Sequence, residues 1–406
     1  MSGITLRSGT PFWGRSEALK KSMAVAIFLL LAGPVLSWSG VADATINFNG
    51  TDKAESAVMH RDGGVVIAGS CGAPSEQKKF CILKISKYAQ KEWSFTGKGE
   101  GEQKFVSIIA DKNGGFTAPG NIVDGKAGSL FMLALSDEGQ KIFEKYFPGK
   151  DYMLASSIAQ DAAGSYYISG SRDKNAFIMK VSANGEKIWG KKIKGQNCVS
   201  SLWNGETLAV LTRKDNNIGL EIIDSDGNTR LSVQYGGFGE EQPGSLALLK
   251  NKGYLIVGST KLINDKASGD FIVIKADASG NAVWQKTFGT QFPDKGVAGV
   301  ETAEGRLLVI AETAAFYSGK PKPIDYETFY LMLDKDGNII EEEHFGHDNH
   351  YGSAENQERG KAILSGEKGV WYIIGNREYY YNTPEIDGSD FFLLKQNEKE
   401  LKSDKI

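Results

Sequence analysis

The sequence predicts an all-β protein, a seven-bladed β-propeller with four antiparallel strands per blade. Three observations predict it. One pattern of about 52 residues returns seven times along the chain. Each copy holds four strand-like runs separated by Gly, Asn and Asp turns. The last copy lacks its fourth run, and the start of the mature chain carries a segment that resembles the missing piece.

The repetition appears when two stretches are aligned. NKGYLIVGS (251–259) followed by GDFIVIKADASGNAVWQKTFG (269–289) matches AGSYYISGS (163–171) followed by NAFIMKVSANGEKIWGKKIKG (175–195). The same frame returns as DGGVVIAGS with KFCILKIS, NGGFTAPGN with SLFMLALSDEGQKIFEKYFPG, and NGETLAVLT with IGLEIIDSDGNTRLSVQYGG. Two later copies are EGRLLVIAE with ETFYLMLDKDGNIIEEEHFG and EKGVWYIIGN with SDFFLLK. Strand a precedes the Gly-rich turn, as in Ala57-Val58-Met59, Val106-Ser107-Ile108-Ile109 and Ser156-Ser157-Ile158. Strand b is the GYLIVGS run, strand c is DFIVIK, and strand d is the alternating AVWQKTF.

The chain ends support a closed ring. The seventh copy stops after Lys395 with a charged tail and no strand d. Thr45-Ile46-Asn47-Phe48-Asn49-Gly50 resembles that strand, with Phe48 and Gly50 placed like Phe288 and Gly289. The mature N-terminus is therefore expected to complete the last blade and remove the free sheet edges.

Composition fits such a protein. The chain has 406 residues, 41% hydrophobic and 24% charged, and 49 Gly against 10 Pro, which excludes a disordered chain and a multi-span membrane protein. With 47 Lys+Arg against 50 Asp+Glu it offers no electrostatic reason to bind nucleic acid or anionic lipid.

Residues 1–44 read as an export signal. Arg7, Arg15, Lys20 and Lys21 precede the apolar run from Met23 to Leu36, and Ala42-Asp43-Ala44 follows as a cleavage motif. The run is broken by Gly33-Pro34 and falls short of the roughly 20 residues that span a bilayer. Cleavage after Ala44 is expected, leaving residues 45–406 as one propeller in the periplasm or outside the cell, mildly acidic, monomeric and without a membrane span. Cys71 and Cys81 flank a short loop between predicted neighbouring strands and are expected to form a disulfide, stabilising by roughly 2 to 3 kcal/mol. Cys198 beside Val199 reads as core.

These repeats resemble secreted bacterial β-propeller proteins, whose units run roughly DGGYIxAGS and then DFxxxKxDxxGNxxWxKxFGG, in the quinoprotein-like and WD40-like propeller superfamily. The resemblance spans the whole mature chain and implies fold far more than activity. The sequence departs from the quinoprotein docking motif, because Asp277-Ala278-Ser279-Gly280 is one residue short between acid and glycine and an eighth copy is absent.

In an up-and-down meander the a-b and c-d turns share one end of every blade, and the b-c and d-a connections share the other. Turns such as Asp62-Gly63-Gly64 and Asp336-Gly337-Asn338 are minimal. Asp224-Ser225-Asp226-Gly227-Asn228 looks like a calcium loop but occupies the c-d turn position, so a structural hairpin is expected. The insertions, at 71–79, 121–129, 260–269, 313–327 and 377–390, all fall at the other end, where binding is expected.

Two of these loops gather aromatic and charged candidates: Tyr317 and Tyr326 in copy six, Arg377, Tyr379, Tyr380 and Tyr381 in copy seven. Such a set suits a sugar or a protein partner, or simply loops packing on one another. Between them lie His344, His347 and His350, which suit either a zinc or copper site or a solvated turn. Trp93, Phe143, Trp189, Leu231 and Trp284 share one repeat position, and packing between blades explains them without a cofactor. No catalytic set or phosphate loop emerges from spacing. The expected function is a non-catalytic ligand- or protein-binding scaffold acting through blades six and seven. The alternatives are a propeller enzyme, either a metal-assisted lyase or hydrolase or a quinone-dependent dehydrogenase, and an assembly factor of a surface complex.

Overall fold

A computed structural model describes residues 4–7, 42–46, 51–72, 78–98, 101–124, 127–148, 152–237, 239–261, 269–290, 292–314, 326–345, 354–367, 369–381 and 388–397. These residues form strands and connections without a helix. The strands make seven antiparallel sheets, each a meander in the order a-b-c-d. Blades one to six run over 53–96, 102–147, 153–192, 197–235, 240–288 and 294–345. Blade seven takes strands a to c from Ala354–Ser365, Val370–Tyr381 and Gly388–Asn397, and strand d from Ala42–Ile46.

The continuous apolar runs of strands b and c follow from where their two faces go. Alternate side chains of a strand point to opposite faces, and here each face meets a different neighbouring blade. Val65 and Ile67 enter the core shared with blade seven, while Val66 and Ala68 enter the core shared with blade two. Seven separate cores result among the described residues, one at each seam of the ring. Strand d alternates between exposed and half-buried residues, as in Lys91–Thr96, because it is the outer strand. The glycine of the repeated Gly-Ser pair sits opposite a bulge in strand a: a Cβ on Gly69 would lie 1.9 Å from the Lys53 carbonyl oxygen.

The ring is closed as the chain ends suggested, but the closing strand runs ahead of expectation. Ile46 pairs with Phe391, the frame position held in blade five by the Phe288–Phe271 pair, so Ile46 and not Phe48 takes the place of Phe288. Burial sets the register, since a one-residue slip would turn every side chain to the other face. Ala44 and Ile46 are both buried in the seam between blades seven and one. Ile4–Arg7 adds a fifth strand outside this one. Asn47 to Gly50 lie outside the described residues.

The shared repeat position of Trp93, Phe143, Trp189, Leu231 and Trp284 explains how blades hold one another. Each of these side chains packs on the c-d turn glycine of the next blade: Gly139, Gly185, Gly227, Gly280 and Gly337 in the same order. The indole N–H groups of Trp93 and Trp284 also donate to the Asp137 and Lys335 carbonyls of those turns, at 3.0 and 3.1 Å. The turn needs a residue in the left-handed region, and a glycine there also leaves room for the ring. Blade one provides the contrast. Its c-d turn carries Ala89 at φ 59, buried in the seam with blade seven. The register places Ala42 at the tryptophan position of blade seven, so a turn methyl stands where no large ring arrives.

This contact predicts a graded response at two turns. Gly337 at φ 76 lies against Trp284, so a Cβ there would come within 3.0 Å of the ring. Gly305 at φ 84 has nothing closer than Glu301 Oε1 at 3.8 Å. Gly305→Ala should lower stability by about 1 to 2 kcal/mol through the backbone alone, and Gly337→Ala by clearly more. Denaturant unfolding of both variants measures the difference, and equal losses would mean that the ring contact contributes nothing.

Candidate functional site

The two ends of the ring differ as their sequences suggest. At one end every described a-b and c-d turn is short. In the c-d turns of blades four, five and six, Asp224, Asp277 and Asp334 accept hydrogen bonds from the backbone of Asn228, Asn281 and Asn338 at 2.8 Å. Hydrogen bonds from those asparagines, backbone and side chain, hold the three carboxyls below the usual range. These acids are spent on their own turns, as expected of structural hairpins.

At the other end the connections divide the ring into two sectors. Blades three and four turn from b to c through Asp173-Lys174 and Asp215-Asn216, all with positive φ, which are two-residue hairpins. The expected insertion at 121–129 is mostly sheet, since strands b and c of blade two run over Phe116–Asp124 and Ala127–Leu135. Longer b-c spans remain in blades five, six, seven and one, a contiguous sector.

Among the described strands b, that of blade seven runs furthest past the frame glycine. Strands a and b of this blade are 12 residues each, and strand b continues six residues beyond Gly375, whereas in blade one it ends two beyond the equivalent Gly69. At about 3.3 Å per residue the difference is a projection of about 13 Å. Arg377, Tyr379, Tyr380 and Tyr381 therefore lie in sheet and not in a loop, with Tyr379 to Tyr381 paired to Asn356, Glu355 and Ala354. The reason is that strand a supplies pairing partners along the whole length. Tyr326 opens strand c of blade six, opposite Ala314. Tyr317 lies outside the described residues.

Arg377 is buried, with its Nε donating to Glu358 at 2.8 Å and a further hydrogen bond to Thr45 of the closing strand. It belongs to a belt of ion pairs around the axis. Lys53, Lys104, Lys295 and Arg359 hold one frame position on four consecutive blades, just before the strand-a residue that faces Gly69, Gly120, Ala311 or Gly375. Lys53 meets Glu378 at 3.0 Å, Arg359 lies 3.6 Å from both Glu378 and Glu312, and Lys104 reaches Glu55 at 3.3 Å. Beside them burial, and then Lys53, push the Lys78 ammonium down. The belt ties blade seven to blades six and one, where no aromatic ring rests on a turn glycine.

His344 sits in strand d of blade six, Ile339–Phe345, and not in the loop that follows. Its ring stacks on Phe329 with centroids 5.0 Å apart, and Nε2 lies 3.0 Å from Glu342 Oε1. His347 and His350 lie outside the described residues. Among the described residues no group of three metal-ligating side chains converges. Cys71 and Cys81 form a disulfide between strands b and c of blade one, with Cα atoms 6.0 Å apart. Cys198 is fully buried, which pushes its thiol up to about 12.

Sequence reading passed over His60, the remaining histidine. It is buried at the short-turn end, with Nδ1 2.7 Å from Asp62 and Nε2 2.6 Å from Asp137 of blade two. Arg61 and Lys84 complete the cluster on the same two carboxylates, at 2.6 and 2.8 Å. The signal was available: His60 stands at the turn position where blades two and three carry Asp111 and Asp161.

No known family pattern matches the chain, and no curated protein does. Solved structures resemble it at low identity. A protein from Lactobacillus plantarum has a TM-score of 0.42 at 12% identity, covering 64% of this chain and 76% of its own. A protein of unknown function from Dyadobacter fermentans has a TM-score of 0.46 at 12% identity over 87% and 96%. Sqt1 from Chaetomium thermophilum has a TM-score of 0.49 at 9% identity over 86% and 97%.

The placement of Arg377 yields a direct test. Arg377→Met leaves Glu358 buried without this partner and should cost about 3 to 5 kcal/mol in chemical unfolding. A loss below about 1 kcal/mol would show that the guanidinium does not hold the closing blade.

Proposed function

We propose that this protein is an exported, non-catalytic binding scaffold that engages a protein or glycan through the long-connection end of its ring, centred on blades six and seven. The single observation that carries this reading is the long sheet of blade seven, whose strand b carries Tyr379 to Tyr381 four to six residues beyond Gly375, while the described strands b of the other blades end two to four residues beyond the equivalent position. A rigid β-sheet presents such residues without the ordering cost that a loop would incur on binding, and tyrosine is enriched where partners dock. The test replaces Tyr379, Tyr380 and Tyr381 together by Ser. A partner captured by the native protein, identified and then titrated against both proteins, should bind the variant at least about tenfold more weakly. The melting temperature should change little. Unchanged affinity would remove the projection from the binding surface, and loss of folding would make those residues structural.

Export is supported by the disulfide in blade one, since such bonds persist in oxidising compartments. Cleavage after Ala44 would take Ala42 to Ala44 from a closing strand with five paired positions. In this reading the leader is therefore removed before Ala42, together with Ile4–Arg7, leaving blade seven four-stranded like the others. The intact mass of the exported protein checks this. A chain beginning at Thr45 and folded as stably as one beginning before Ala42 would contradict it.

A further inference from the structure

The long-connection end of the ring is charged unevenly. Where blades three and four turn from strand b to strand c, the hairpins at 172–175 and 213–217 lie on either side of the d-a connection at 192–197. The three segments form one platform. Ile193 donates its backbone N–H to Ala176 at 3.0 Å, Ala176 donates back to Gly195 at 3.1 Å, and Gln196 donates to the Arg213 carbonyl at 2.9 Å. The connection is pressed against blade four, since a Cβ on Gly195 would lie 2.9 Å from the Thr212 Cβ.

This platform carries six basic residues, Arg172, Lys174, Lys192, Lys194, Arg213 and Lys214, against two acids, Asp173 and Asp215. The chain as a whole has a formal charge of −3, so the excess is local. The fold does not use most of it. Lys174, Lys192 and Lys194 are exposed, and among the described residues none of the three meets a carboxylate. Arg213 stands opposite Asn197 in the sheet and donates to Asn216 Oδ1 at 3.3 Å, and its Nε is buried without a partner among the described residues. Lys214 turns inward to Ser232 at 2.9 Å. The closing blade shows the contrast, because there Lys53, Arg359 and Arg377 are paired with Glu378, Glu312 and Glu358.

We infer that this platform binds an acidic polysaccharide, a chain of sugars bearing carboxylates such as a polyuronate. Its exposed residues include no large apolar side chain, the kind of anchor that carries a protein interface. A flat membrane is held off, since strands b of blades three and four end two residues past the position equivalent to Gly375, against six in blade seven. A flexible anionic chain meets neither obstacle. The exposed amides of Gln196 and Asn216 lie among the cations and can serve sugar hydroxyls as donors and acceptors. Two-residue hairpins hold the charges in place, so little ordering cost opposes binding. The inference goes beyond the reading above, because it concerns another sector of the same end and does not involve Tyr379 to Tyr381.

The experiment titrates fluorescein-labelled oligogalacturonate against the folded protein by anisotropy, with labelled dextran, an oligoglutamate peptide and vesicles containing phosphatidylglycerol for comparison. The uronate should bind tightest, and its affinity should fall several-fold when salt is doubled, because binding releases counterions. Lys192→Gln combined with Lys194→Gln should weaken it by about tenfold. Lys112→Gln combined with Lys335→Gln removes the same charge from exposed turns at the opposite end and should leave affinity within about twofold. All four lysines are exposed, and circular dichroism checks that both double variants fold. No binding, equal binding of dextran, tighter binding of the peptide or the vesicles, or equal weakening in the two double variants would each overturn the proposal. The variant with Ser at 379–381 should bind the uronate as the native protein does, and loss of binding there would move the site to blade seven and overturn this assignment.

Discussion

The structure depends on one repeated contact, an apolar side chain of strand d seated on the glycine of the next blade's c-d turn. Each blade is a sheet with two apolar faces and cannot exist without neighbours on both sides. The contact fixes how far one blade is rotated and shifted against the next, because a ring on a bare backbone leaves little freedom. At Trp189 and Trp284 the arrangement is reinforced two residues later, where Lys191 and Lys286 pass over the indole at 5.6 and 5.8 Å. Lys286 also donates to the carbonyl of Gly337 at 3.0 Å. The contact of strand d on the turn glycine is used in five consecutive seams, and at Gly185, Gly227 and Gly337 a lysine two residues on, Lys145, Lys191 or Lys286, joins it.

The joint stops at blade seven for a topological reason. That blade takes its strand d from the start of the chain, so it has no c-d turn for blade six to rest on. Blade six accordingly carries Glu341 at the ring position, where it accepts from Tyr330 at 2.8 Å. The two seams of blade seven use polar contacts instead. Thr328 Oγ1 donates to the Glu358 carbonyl at 2.8 Å, and Asn376 clasps the backbone of Ala54 at 2.6 and 3.1 Å. Asn121 makes the same clasp on Ala155 between blades two and three, so the device belongs to the repeat and is only more heavily used at closure. The belt of Lys53, Glu378, Arg359 and Glu312 adds charge pairs across these seams. A ring that closes through its two chain ends places its most polar joints, and its longest strands, in the same sector.

That coincidence shapes the binding reading. The long connections gather on blades five, six, seven and one, the sector that also holds the polar seams of blade seven. Residues that look alike in sequence then separate. Arg377 is drawn into the sheet by Glu358 and Thr45, while Tyr379 to Tyr381 continue past it on the same strand. His344 turns to Phe329 and Glu342. None of this grouping follows from the spacing of three between histidines, because neighbours in space here come from different blades.

Local pattern by itself determined the number of blades, the identity of nearly every strand, the short-turn end, the disulfide and the position of the interblade rings. These follow from periods of two and of about 52, which are properties of adjacent residues and of copies compared with one another. Only the tertiary structure decided the register of the closing strand, the partner of each ring and the basic platform of blades three and four. Arg377 and Thr45 are 332 residues apart, and Trp284 and the Lys335 carbonyl are 51 apart. Such contacts are set by how the blades rotate against one another when their apolar faces are buried, and no period along the chain encodes that rotation.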